Sequence, residues 1–318
     1  MSTQTATDPS SYAFEGYRAL IETHGKYLGE VARRPGNMKS VDREFLKPRT
    51  PVVLTGLMDA WPAYKKWTFD FFRTQYPDIE VPTGIVFSEK KNQRLADYID
   101  YLESFEAGSA SGPPVYMEGW YFRAANEELC LDYEVPQCLQ NDWFENYFPK
   151  RKNPKGTGIL MGPAGAFTKM HTDGQCTHTW LAQFAGRKRW VLADYDQLAP
   201  IFKTKGECNG RYPGFEHPDL EEHLKTHGVE YWTCHLEPGE IVVLPGNWFH
   251  QVTSIDNSIS LTHNFFNGTN ARKVLWEMMR TRMGKDDTKV DDDTVGGMNA
   301  QMGMSMGPIE SADPRKEG

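Results

Sequence analysis

His171 and Asp173 are separated by a single residue, and a further histidine, His250, follows far downstream. On an extended strand, residues i and i+2 point to the same side, so the imidazole and the carboxylate address one point in space. An imidazole delivered from another strand would complete three ligands on one face of a metal. Two histidines and a carboxylate with the opposite positions open form the donor set of non-haem Fe(II) oxygenase chemistry. The spacing alone is weak: nine histidines and 43 acids give about one His-x-Asp/Glu pair by chance. The chain has three, His171/Asp173, His217/Asp219 and His235/Glu237. The second encloses Pro218 and opens a helical pattern, PDLEEHL, on which the two side chains would diverge. The third precedes the Pro238-Gly239 turn, where Glu237 suits a solvated strand end. His250 has the better setting: residues 239–249 read as a strand, a Pro245-Gly246 turn and a new strand that starts at the histidine. Trp248 and Phe249 are expected to wall the site.

An open Fe(II) site of this kind takes up a dianionic oxo-acid. Its far carboxylate needs a cation inside the barrel, because an unpaired buried charge is costly. Lys188, in Gly186-Arg187-Lys188-Arg189-Trp190, suits that task, with Arg187 and Arg189 alternating to the other face. Thr168, Thr179 and Thr262 offer hydroxyls to share the load.

The elements that must position these groups follow from periodicity. A helix is expected over Phe14–Ala32, a short buried strand at Pro51–Leu54, and helices at Phe69–Gln75 and Arg94–Ala107. From about Val115 the texture changes to short strands with Gly/Pro punctuation: 115–122, 158–161, 167–173, 178–184, 188–192, 231–236, 240–244, 250–253 and 258–266. That pattern predicts an all-β sandwich or barrel. Asn270–Met283 reads as a helix with an asparagine cap and a glycine stop. The expected organisation is a helical and mixed portion over 1–114, a β core over 115–268, a C-terminal helix over 269–284 and a disordered tail over 285–318.

Composition bounds the rest. A chain of 318 residues with 39% apolar residues can bury a core without disulfide staples. Its five cysteines are scattered with no CxxC, which fits a reducing compartment. The net charge of −8 predicts no nucleic-acid partner. No apolar run approaches the ~18 residues of a membrane span, and the first thirty residues show no basic-then-apolar leader. A cytoplasmic protein is the expectation. The helix over 270–283 carries Val274, Leu275, Met278 and Met279, a set that could also pair with a copy of itself in a homodimer.

Taken together, Thr168-x-x-His171-x-Asp173, Gly186-x-Lys188-Arg189-Trp190 and Pro238-Gly239-Glu240-Ile241-x-x-Leu244-Pro245-x-x-Trp248-x-His250-x-Val252 are similar to the JmjC, cupin-like Fe(II)/2-oxoglutarate oxygenases. The stretch Pro51–Trp67, with Gly56, Trp61 and Pro62, resembles that family's entry segment, and Tyr116-x-Glu118-x-Trp120 its middle strand. The resemblance covers about 50–266. It implies a mainly β protein built on a double-stranded β-helix, or jelly roll, with N-terminal mixed elements and a C-terminal helix. It further implies Fe(II) on His171, Asp173 and His250, and 2-oxoglutarate on Lys188 and Thr168, with Thr179 and Thr262 as further contacts. Thr179 stands where several members place an asparagine. The implied reaction consumes O2 and 2-oxoglutarate, releases succinate and CO2, and hydroxylates a C–H bond of a peptide or protein side chain or a small metabolite. The alternatives are a cupin with a different metal chemistry and a non-catalytic binding module of the same fold.

Overall fold

The structure is a computed structural model that describes residues 18–38, 40–85, 90–110, 112–147, 156–168, 170–197 and 220–283. The expected tail, the His217/Asp219 pair and Cys208 lie outside the described residues. Within them run thirteen strands: β1 (Lys26–Glu30), β2 (Arg33–Pro35), β3 (Val52–Thr55), β4 (Glu80–Gly84), β5 (Lys91–Arg94), β6 (Tyr116–Trp120), β7 (Thr157–Gly162), β8 (His178–Ala185), β9 (Lys188–Asp194), β10 (Glu230–Leu236), β11 (Ile241–Leu244), β12 (Trp248–Ser254) and β13 (Ser258–Phe265). The helices are α1 (Pro62–Lys66), α2 (Phe69–Gln75), α3 (Leu95–Glu106), α4 (Trp143–Tyr147), α5 (Leu220–His227) and α6 (Ala271–Met283), joined by short 3₁₀ turns.

The strands form two sheets. The larger has the order β2-β3-β11-β8-β13-β7-β6-β4-β5, the smaller β1-β10-β9-β12. A strip formed by Phe167, Thr168 and His171 lies along the free edge of β12, bridged at Phe167–Thr253 and His171–His250. Counting that strip, the run from β7 to β13 supplies four strands to each sheet, β7, β8, β11 and β13 to the larger and the strip, β9, β10 and β12 to the smaller, which is the jelly-roll arrangement. Sheet periodicity then sorts the side chains. On β8, Leu181 packs into the cluster between the sheets with Trp190, Leu192, Leu236, Val242 and Val252. Its neighbours Trp180, Ala182 and Phe184 turn outward to Trp67, Phe72, Tyr98 and Ile99 of the helical layer. With both faces covered, β8 is buried along nearly its whole length, and its buried polar side chains find partners, as Gln183 does in donating to the Ala185 carbonyl at 2.7 Å. The helical layer is held by local signals as well: the Thr68 hydroxyl accepts the Phe71 N–H at 3.0 Å and caps α2.

The leading segment differs from its expected helix over Phe14–Ala32. Residues 18–24 are helical, but a side chain at Gly25 would collide with the Ile21 carbonyl, and the chain leaves as β1, parallel to β10. Strands on both sides of residue 115 share the larger sheet: β3 pairs with β11, and β4 with β6. No helix among the described residues is long and apolar enough to cross a membrane.

Candidate active site

The ligand atoms of His171, Asp173 and His250 all lie within 4.8 Å of one another. His250 comes from β12 and His171 from the strip beside it. Their backbones exchange hydrogen bonds of 2.7 and 2.9 Å, which brings the two rings to 4.0 Å between centroids. His250 is buried, and its Nδ1–H donates to the Trp248 carbonyl at 3.0 Å. That bond fixes the tautomer and leaves the Nε2 lone pair as the available ligand atom. Burial, and then the neighbouring His171, hold its pKa well below the ordinary value, so the ring is neutral and able to ligate. Burial raises the Asp173 carboxyl, against the pull of His171 and a hydrogen bond from Asn264. A cation bound between the three would reverse that shift. Trp190 stacks on the His250 ring at 5.5 Å and 24°.

Toward the other end of the barrel lies Lys188, 1% exposed. β9 register places it opposite Ser254 and Leu236, whereas His250 sits opposite Leu192. Its Nζ donates to the Tyr116 hydroxyl at 3.0 Å and lies 5.3 Å from that ring's centroid. Among the described residues no carboxylate pairs with it. Burial pushes its pKa down to about 7. Arg187 and Arg189 point elsewhere, to Asp256 at 2.7 Å and to Glu22. The barrel interior therefore holds a three-ligand cluster at one level and a solitary ammonium at another. Such an arrangement could take a metal ion chelated by one end of a small dianion whose other end meets Lys188.

Of the threonines, Thr179 and Thr262 approach to 3.4 Å between hydroxyls on β8 and β13. Thr179 also donates to the His263 carbonyl at 3.1 Å. The Thr168 hydroxyl accepts the Val252 N–H at 3.2 Å. The hydroxyl that touches Lys188 belongs instead to Tyr116, to which the sequence reading gives a place on the middle strand but no contact. The signal for it is the glycine opposite: a side chain at Gly162 would strike the Tyr116 ring. Tyr121 is similar, its ring lying over Gly119 and Gly158, with its pKa pushed up to about 12 by burial and by Glu118 and Asp173. Phe249 does not wall the site. It faces the opposite side of β12, stacked on Tyr195 at 5.4 Å, because it alternates with Trp248 and His250. His235 pairs with Glu30 at a strand end, away from any three-ligand group among the described residues. His223 and His227 sit with centroids 4.6 Å apart on α5.

The fold and this cluster define a jelly-roll protein with a two-histidine, one-carboxylate centre. The cupin-like domain family matches residues 38–271, more than half of the chain, and the chain belongs to that family. It is 28% identical over 264 residues to the bifunctional arginine demethylase and lysyl-hydroxylase psr-1 of Caenorhabditis briggsae, covering 79% of this chain and 66% of that protein. It is 28% identical to the lysine-specific demethylase JMJ21 of Arabidopsis thaliana, covering 79% of this chain and 27% of that protein. It is 25% identical over 305 residues to the 2-oxoglutarate and iron-dependent oxygenase JMJD4 of Homo sapiens, covering 84% and 71%. The chain thus spans less than two thirds of the first two of these relatives.

Proposed function

We propose that this protein is an Fe(II)- and 2-oxoglutarate-dependent oxygenase that hydroxylates a C–H bond of a protein or peptide side chain, with release of succinate and CO2. The observation that carries the reading is Lys188, an ammonium buried in the barrel that holds the His171, Asp173 and His250 cluster, with no carboxylate partner among the described residues. A buried cation of this kind is tolerated where a bound anion completes it. The names of the relatives, a lysyl-hydroxylase, demethylases and an iron-dependent oxygenase, support the same chemistry and a protein substrate.

His171, Asp173 and His250 are the proposed iron ligands. When bound, the iron supplies the redox chemistry that couples oxidative decarboxylation of 2-oxoglutarate to hydroxylation. The chain's own part is placement. The Trp248 carbonyl holds the His250 ring with Nε2 toward the site, and Asn264 steadies Asp173. Lys188 and Tyr116 grip the far carboxylate of the co-substrate, and Thr168, Thr179 and Thr262 are proposed as flanking contacts. The apolar wall of Trp190, Leu192 and Leu181 limits water. The scattered cysteines, with no CxxC among them, fit a reducing, cytoplasmic setting. The exposed Leu275, Trp276 and Met279 on α6 are the proposed contact in a homodimer.

The test is anaerobic loading with Fe(II) and 2-oxoglutarate, then O2 with a peptide library. Succinate release and a product heavier by one oxygen atom are expected. Absence of both from the wild-type protein, with iron bound, would count against the reading.

A further inference from the structure

Among the described residues, four that are not glycine have a left-handed backbone: Arg49, Gln175, Cys176 and Asn247, with φ of 59°, 54°, 59° and 65°. Such conformations cost free energy and persist where surrounding contacts over-determine them. All four flank the ligand cluster. Gln175 and Cys176 follow Asp173, Asn247 precedes His250 on the adjoining turn, and Arg49, far away in sequence, docks on that turn. The two loops interlock: a side chain at Gly246 would collide with the Cys176 carbonyl, and the Gly246 N–H donates to His178 Nδ1 at 2.9 Å.

Arg49 holds this frame from outside the barrel. Its guanidinium donates to Asp194 Oδ1 and to Asp196 Oδ2, each at 2.7 Å, and lies 3.5 Å from the Asn247 carbonyl. Its own carbonyl accepts the Trp248 indole N–H at 3.0 Å. Trp248 supplies the carbonyl that fixes the His250 Nδ1–H. Trp248 and Asp194 are cross-strand partners, so one residue reaches the β9–β12 pair with both its main chain and its side chain. A surface ion pair alone contributes little and gives no reason for a strained backbone whose carbonyl meets a buried indole.

We propose that Arg49 is a positioning residue for the His250 imidazole, acting through Trp248. The proposal rests on reading His171, Asp173 and His250 as a metal centre. The test uses the full-length protein with Co(II) as the probe. Arg49→Ala and Trp248→Phe should each raise the Kd for Co(II) by about tenfold or more. Both should alter the visible spectrum of the bound ion while the far-UV circular dichroism stays unchanged. Arg49→Gly, which keeps an unstrained left-handed carbonyl, should fall between wild type and Arg49→Ala. If the Arg49 variants do not fold, Trp248→Phe decides by the His250 tautomer: it removes the indole N–H together with part of the ring packed on Trp232, and Trp232→Phe, which perturbs the same packing but keeps the Trp248 N–H, serves as its control. In the metal-free protein, ¹⁵N NMR should show His250 held as the Nδ1–H tautomer in wild type and averaging between tautomers in the variants. Wild-type Co(II) affinity and spectrum in Arg49→Ala and Trp248→Phe would overturn the proposal. A wild-type protein that takes up no Co(II) would sink the metal reading instead. The positioning role is then decided by the NMR alone, and an unchanged His250 tautomer in the variants rejects it.

Discussion

At the scale of the residue, Lys188 is the clearest conflict between stability and use. Its ammonium is desolvated, with one phenol hydroxyl as partner. In the ligand-free protein it gives up its proton near pH 7, whereas the unfolded chain keeps it to about 10.5. Between those values the unfolded state binds more protons, so this group makes stability rise with pH across that window; its cost is fully present below pH 7. Lys188→Met should therefore raise the Tm of the ligand-free protein at pH 6.5 by roughly 2–8 °C and flatten the rise in stability between pH 7 and 10. The same variant should lose 2-oxoglutarate binding by calorimetry. Binding of the dianion has the opposite dependence, weakening as pH climbs above 7, because it needs the charged form. Tyr116→Phe removes one hydrogen bond, worth about 1 kcal/mol, and should raise the KM for 2-oxoglutarate about fivefold with kcat little changed. An unchanged KM would show that the hydroxyl does not help Lys188 in its proposed role of holding the co-substrate.

At the scale of the element, strand periodicity carries much of what is legible in the chain. The i, i+2 spacing of His171 and Asp173 and the strand-turn-strand before His250 bring three ligand atoms together. Alternation along Gly186–Trp190 separates Lys188 from its two flanking arginines. The hidden parts have a different physical origin. β2 and β5, Arg-Arg-Pro and Lys-Asn-Gln-Arg, are exposed edge strands with no apolar alternation; neighbouring backbones, rather than side chains, define them. Tyr116 meets Lys188 only because β6 pairs with β7, Met117 opposite Met161, across a distance that local patterning does not encode. Arg49 sits in a loop with no period at all. The glycine opposite Tyr116 yields an element-level prediction. Gly162→Ala places a methyl against the Tyr116 ring, so the ring must move from its place beside Lys188 at a cost of about 1–3 kcal/mol. It should weaken 2-oxoglutarate binding more than Co(II) binding. Equal losses of both would point to general damage to the barrel.

At the scale of the whole molecule, the two sheets and the outer helical layer close their core from side chains alone. A chelator should therefore stop turnover without unfolding the protein. Metal restored at one hundred times its Kd should add about 2.7 kcal/mol, a rise in Tm of roughly 5–10 °C; unfolding by chelator, seen by circular dichroism, would contradict this. Trp276, 61% exposed, is the residue through which the proposed homodimer is tested. Trp276→Glu should shift the sedimentation coefficient to that of a single chain, and a wild-type protein that already sediments singly would remove the dimer. The head of α6 gives that test a wider meaning. Asn270 accepts the Asn267 N–H through its side chain at 3.0 Å, and its amide donates to the Cys176 carbonyl, three residues past Asp173, at 2.9 Å. One side chain therefore joins the helix that would meet a second copy to the turn that follows a proposed iron ligand. If the proposed dimer forms through α6, dilution to single chains should weaken Co(II) binding before the fold is lost, and a Co(II) affinity independent of protein concentration would show that the seam and the site are not linked.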